Sequence, residues 1–177
     1  AEIMAEAGVP PGVVNIVNTT GAQEWLDATI DQPAVRMLSF TGSTTVGQHL
    51  IRRSADRVLK LAMELGGNAP FVVLADADLE AAVQGAMLSK VRHSAEACVA
   101  ANRFFVEAPI AERFTEMFVA RMSALHVGGG FEPGVNCGPL INQRAVEKTE
   151  RLVQTAIDDG ANVALGGHRL ERSGNFY

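Results

Sequence analysis

The chain has 177 residues, of which 47% are hydrophobic and 20% charged; that balance fits a globular chain with a sizeable core and excludes a disordered one. Fifteen basic against 20 acidic side chains leave a net charge of −5, which argues against a nucleic-acid surface and a polybasic membrane patch. No apolar run reaches the ~18 residues of a membrane span, no signal-peptide pattern opens the chain, and two cysteines, Cys98 and Cys137, are too few for a disulfide framework. A reducing, cytoplasmic setting is the expectation.

The chain alternates helical and strand-like stretches. Glu2 to Ala7 reads as the end of a helix, closed by Gly8 and Pro10-Pro11. Val13 to Val17 is a short β-branched run and predicts a buried strand, and Gln23 to Ile30 predicts a short helix. Val35 to Phe40 predicts a strand that turns through Thr41-Gly42-Ser43 into a helix over Val46 to Ala55. Leu59 to Glu64 and Pro70 to Leu74 read as strands separated by Gly66-Gly67. Asp76 is positioned to cap a helix whose apolar face is Leu79, Ala82, Val83, Ala86 and Met87. Arg103 to Val106 reads as a strand, and Ile110, Phe114, Met117, Phe118, Met122 and Leu125 mark a second amphipathic helix. Val146, Leu152, Val153, Ala156 and Ile157 mark a third, stopped at Gly160. Val163 to Leu165 and the terminal Asn175-Phe176-Tyr177 read as strand beginnings. Strands alternating with helices predict an α/β fold with parallel pairing.

Three constellations could carry chemistry. In Phe40-Thr41-Gly42-Ser43-Thr44-Thr45-Val46-Gly47, a strand runs through a glycine turn straight into a helix. Free N–H groups at a helix start attract phosphate, although an ordinary strand-to-helix turn has the same local pattern. In Glu64-Leu65-Gly66-Gly67, a carboxylate ends an apolar strand; partial burial would raise its pKa toward that of a general base, while the plain alternative is a strand-end glutamate beside turn glycines. In Arg92-His93-Ser94-Ala95-Glu96-Ala97-Cys98, a thiol follows a helix and a small-residue loop. Such a position can expose a nucleophile, and Arg92 could help bind an anion, whereas a buried structural cysteine is the alternative. Cys137 has no adjacent base, and His49, His93, His126 and His168 form no metal-ligand spacing with the cysteines.

In this order, the constellations resemble the aldehyde dehydrogenase superfamily over essentially the whole chain. The match continues at Asn102-Arg103, Gly138-Pro139-Leu140-Ile141 and Gly166-Gly167. Within the superfamily the likeness is to the succinate-semialdehyde dehydrogenases. It implies an aldehyde dehydrogenase-like α/β fold, with parallel sheets and flanking helices. Residues 1–62 would be the end of a Rossmann-like NAD(P)-binding domain, and residues 63–177 the start of a thiol-nucleophile catalytic domain. It further implies that Cys98 attacks a small-molecule aldehyde, that the adduct is oxidised to a thioester with NAD or NADP as hydride acceptor, and that Glu64 activates the hydrolytic water. Gly42, Ser43 and Val46 would lie on the pyrophosphate side of the cofactor, and Leu65 and Gly66 near its nicotinamide. Arg92, six residues before the nucleophile, would bind the carboxylate of succinate semialdehyde.

The sequence departs from the family pattern at His93, Ala95 and Glu96, where Asn, Gly and Gln are usual, and at Ala100, where related enzymes often carry a second cysteine. Alanine in place of glycine matters if the loop takes unusual backbone angles. Family members are much longer, so the expectation is a segment of a homo-oligomeric enzyme that is inactive by itself. The competing readings are a cofactor-independent cysteine esterase and a non-catalytic module.

Overall fold

A computed structural model describes residues 2–177. The chain divides into two units, Ala1–Leu65 and Gly66–Tyr177.

The first unit holds helix α1 (Glu2–Glu6), helix α2 (Ala22–Thr29), strand β1 (Met37–Gly42), helix α3 (Thr44–Ala55) and strand β2 (Lys60–Leu65). β1 and β2 pair in parallel, with Met37 opposite Lys60 and Gly42 opposite Leu65. Leu26 and Ile30 from the α2 end and Leu50 from α3 are buried, and Leu38, Phe40, Leu59 and Met63 pack against them. Residues with a period of two on the strands thus meet residues of a helical stripe. Ser54 is buried among these groups, and its hydroxyl donates to the Leu50 carbonyl at 2.7 Å, which satisfies it within its own helix.

The second unit holds strand β3 (Ala69–Val73), helix α4 (Leu79–Val91), strand β4 (Ala101–Val106), helix α5 (Ala108–Ser123) and helix α6 (Gln143–Asp158). β3 and β4 are parallel, and α4 is the helix of the crossover between them. The register slips at its start: Ala69 faces Ala101 but Pro70 faces Arg103, which leaves Asn102 as the extra residue of a bulge. Val73, Val83, Ala86 and Phe114 form the buried centre. Around it Phe104 lies 5.5 Å from Phe71 and 5.1 Å from Phe118, ring centroid to centroid. Tilted aromatic pairs at this spacing add to the burial itself.

Helix ends follow local chemistry. The Asp78 carboxylate accepts from the Ala81 N–H at 3.1 Å, and the Asn142 side chain accepts from the Ala145 N–H at 3.0 Å. The helix α4 cap is therefore Asp78, two residues beyond the expected Asp76. Gly160 follows α6 at φ +93°, a left-handed stop that glycine takes without strain.

Three strand expectations fail. Residues 13–17 form no strand: Val13, Ile16 and Val17 are each more than 60% exposed. Residues 163–165 and 175–177 likewise lie outside any strand. A β-branched run needs a neighbouring ladder to become a strand, and among the described residues none of these segments has one. The C-terminal segment is held by isolated backbone bonds, from the Leu140 N–H to the Asn175 carbonyl at 2.9 Å and from the Leu170 N–H to the Phe176 carbonyl at 3.2 Å, and by side chains. Arg172 donates to the Val127 carbonyl at 2.8 Å and to Glu132 at 2.9 Å, and its guanidinium lies 4.3 Å from the ring centroid of the buried Phe176. Arg169 pairs with both oxygens of Glu150. Among the described residues no helix is long and apolar enough to cross a membrane.

Candidate active site

In the first unit the carboxyl ends of β1 and β2 bring together Gly42, Ser43, Val46, Glu64 and Leu65. Glu64 stands opposite Thr41 in the ladder and Leu65 opposite Gly42. Ser43 caps α3, its hydroxyl oxygen accepting from the Val46 N–H at 3.3 Å while its carbonyl accepts from the Gly47 N–H at 2.9 Å. Gly47 is buried against Leu65; a Cβ there would stand 2.6 Å from a Leu65 methyl, so the glycine sets how closely α3 approaches β2. The N–H groups of Thr44 and Thr45, at the start of α3, have no acceptor within the helix. Open donors at the carboxyl end of a parallel pair suit the phosphates of a dinucleotide, and this is the edge of an α/β sheet where such ligands bind. The residues present therefore fit a dinucleotide cofactor. Glu64 is exposed, so the partial burial invoked for it from the sequence is not found.

Gly66, Arg92 and Cys98 belong to the second unit. Gly66 and Arg92 are exposed, the latter at the end of α4, where the backbone leaves the helical region. Cys98 is a free, exposed thiol in the loop before β4, flanked by exposed Val99 and anchored by the buried Ala100 and Ala101. Its position answers the open alternative of a buried structural cysteine. No hydrogen-bonding base touches the thiol among the described residues, and Glu96 is exposed.

Between Arg92 and Cys98 the backbone makes a left-handed turn. His93 (φ 50°, ψ 44°), Ser94 (φ 53°, ψ 36°) and Ala95 (φ 67°) are all non-glycine residues at positive φ. Each such residue costs about 1–2 kcal/mol, so contacts elsewhere must hold the turn. Two features beside the turn have no counterpart in the local reading, and the first is a hydrogen bond that holds it. The Ser94 hydroxyl accepts from the Gly138 N–H at 3.0 Å, 44 residues away, tying the turn to the Asn136-Cys137-Gly138 loop. Gly67 lies so close to the Cys98 loop that a Cβ there would stand 2.7 Å from the Cys98 carbonyl oxygen. The double glycine after Glu64 was the signal for the second; nothing local to Ser94 signals the first. Behind the loop, the Lys90 ammonium donates to the Asn102 side chain at 2.6 Å, and partial burial lowers its pKa. Among the described residues no group of His, Cys, Asp and Glu could hold a metal.

The chain is thus an α/β protein with parallel strand pairs, open N–H groups at the start of α3 and an exposed loop cysteine. The sequence model of the Aldehyde dehydrogenase family matches residues 1–177, and the chain belongs to that family. It is 45% identical over 177 residues to the NADP(+) succinate-semialdehyde dehydrogenase of Escherichia coli (strain K12), spanning all of this chain and 36% of that protein. It is 47% identical over 172 residues to a 3-sulfolactaldehyde dehydrogenase of Pseudomonas putida, spanning 97% of this chain and 35% of that protein. The crystal structure of a succinate-semialdehyde dehydrogenase from Burkholderia pseudomallei matches with a TM-score of 0.94 at 45% identity, over 99% of this chain and 36% of that one. The chain thus spans about a third of the length of these relatives. The expected aldehyde dehydrogenase-like fold is the observed one.

Proposed function

We propose that the protein carrying this chain oxidises an aldehyde bearing an anionic tail, succinate semialdehyde foremost, with NAD(P)+ as cofactor, in the cytoplasm. Residues 1–62 would close the cofactor domain and residues 63–177 open the catalytic one. The observation that carries the reading is Cys98: a free thiol, exposed at the head of β4 on a loop that the Ser94 bond ties to Gly138 and that Gly67 approaches closely.

The Cys98 thiolate attacks the carbonyl carbon and forms a thiohemiacetal. Arg92 pairs with the distal carboxylate, fixing which end of the substrate faces the thiol; a planar guanidinium suits that planar anion. The relative acting on a sulfonated aldehyde supports an anionic tail as the recognised feature. Gly42, Ser43 and Val46 would hold the pyrophosphate side of the cofactor, and Leu65 and Gly66 would serve its nicotinamide side. Bound there, NAD(P)+ supplies the hydride acceptor that takes the thiol adduct to the thioester level. Glu64 takes a proton from the water that hydrolyses the thioester; its exposure supports access to that water.

The test is reduced-cofactor formation by the full-length protein with a panel of aldehydes. C98S is expected to cut turnover by about a thousand-fold or more. R92Q is expected to raise KM for succinate semialdehyde roughly 10–100-fold, the worth of a charged hydrogen bond, with little change for a neutral aldehyde of equal length. The 177-residue chain alone is expected to be inactive. No reduced cofactor with any semialdehyde, or undiminished turnover in C98S, refutes the proposal; ester hydrolysis without cofactor would assign a thiol hydrolase instead.

A further inference from the structure

We infer that Ser94 is a positioning residue: through its hydroxyl bond to the Gly138 amide it sets the relative placement of the Arg92 guanidinium and the Cys98 thiol. The inference rests on the proposed roles of Arg92 and Cys98.

Arg92 and Cys98 stand on either side of the left-handed turn at His93, Ser94 and Ala95. None of these three residues is a glycine, so the turn does not persist on local preference. Inside the turn the Glu96 N–H donates to the His93 carbonyl at 2.9 Å, a bond that closes the turn but fixes it to nothing else. Among the described residues, Ser94 is the one side chain from Arg92 to Cys98 that makes a hydrogen bond, and its partner is 44 residues away. The partner loop is fixed in its turn: the Asn136 side chain accepts from the His126 N–H at 2.9 Å, Cys137 bridges to Val127, and the Gly128 N–H donates to the Cys137 carbonyl at 3.0 Å. The Ser94 bond therefore transmits a fixed point to a strained segment whose other side chains make no hydrogen bond among the described residues. Ser94 itself is half-buried, while Arg92 and Cys98 are exposed, so the anchor faces inward and both functional groups face solvent.

The test uses the full-length protein and compares two thiol reagents, anionic iodoacetate and neutral iodoacetamide. Cys98 alkylation is followed separately from Cys137 by peptide mass mapping. Arg92 held beside the thiol favours the anion, so the iodoacetate-to-iodoacetamide rate ratio at Cys98 reports the juxtaposition and cancels simple exposure. S94A is expected to lower this ratio about three- to ten-fold, the range for losing a short-range charge contact at an exposed site. R92Q should lower it equally, and S94A/R92Q no further than either alone. S94T keeps the hydroxyl and is expected to restore most of the ratio, even though a β-branched residue at positive φ lowers its thermal midpoint. A general loosening would instead raise both rates at Cys98 and leave their ratio unchanged. An unchanged ratio in S94A while R92Q lowers it overturns the role of Ser94 and spares that of Arg92. An unchanged ratio in R92Q overturns the juxtaposition itself, and the inference with it.

Discussion

At the scale of single residues, the turn before Cys98 shows how far a substitution can be read from sequence. Ala95 stands where the family usually has glycine, and the structure places it at φ +67°. An L-residue there costs about 1–2 kcal/mol, and glycine's greater freedom in the unfolded chain takes back ~0.4–1. A95G is therefore expected to stabilise the chain by roughly 0.5–1 kcal/mol; a urea midpoint that stays put or falls would contradict this. The neighbouring positions were not legible in this way. His93 and Ser94 share the same left-handed region, yet neither residue type demands it. The reason lies in the loop at Gly138, which no local pattern connects to Ser94. Gly67 is similar: the glycine pair marks a turn, but only the folded chain shows that its open side faces the Cys98 carbonyl.

At the scale of elements, hydrophobic spacing carried most of the reading. The helices over Thr44–Ala55, Leu79–Val91, Ala108–Ser123 and Gln143–Asp158 lie where apolar residues recur at helical intervals. In the second unit the helical period brings Phe114 and Phe118 onto one face, and they meet Phe104 from β4. Phe114 is 3% exposed, at the centre of this cluster. F114A is expected to destabilise the second unit by about 3–5 kcal/mol, transfer plus cavity. Urea unfolding followed by circular dichroism checks it, and a loss below about 1 kcal/mol would mean the core is not assembled around this ring. Amphipathic spacing did not guarantee burial. On α6, Val146 is 1% exposed but Ile157, on the same face three turns on, is 40% exposed, because periodicity says which residues share a face and not what covers it. The same limit explains the runs Val13–Val17 and Val163–Leu165, where residue type favours a strand and no partner ladder is supplied.

At the scale of the whole molecule, the chain is two units, each built on one parallel pair. The C-terminal part of the second unit carries two exposed ion pairs, Arg172–Glu132 and Arg169–Glu150. The Gly129 N–H, and next to it Arg172, hold the Glu132 carboxyl below its usual range, and the Arg169 bond does the same for Glu150. A depressed carboxylate contributes stability that is present above its unfolded pKa of about 4.3 and lost as pH falls through the folded value. The thermal midpoint is therefore expected to fall as pH drops below about 4, with a smaller fall in E132Q/E150Q. Equal acid sensitivity in that double variant would show that these pairs do not hold the segment.

The sequence by itself determined the class of fold and the positions of the long helices and four strands, because periodicity and glycine turns are local properties. Composition also set the globular character and the acidic balance. Only the tertiary structure decided which strand-like runs find a ladder, that Cys98 is exposed while Ala100 and Ala101 beside it are buried, and that Ser94 bonds to Gly138 while Gly67 approaches the Cys98 carbonyl. Those outcomes depend on contacts between residues tens of positions apart, and such contacts leave no periodic trace in the chain.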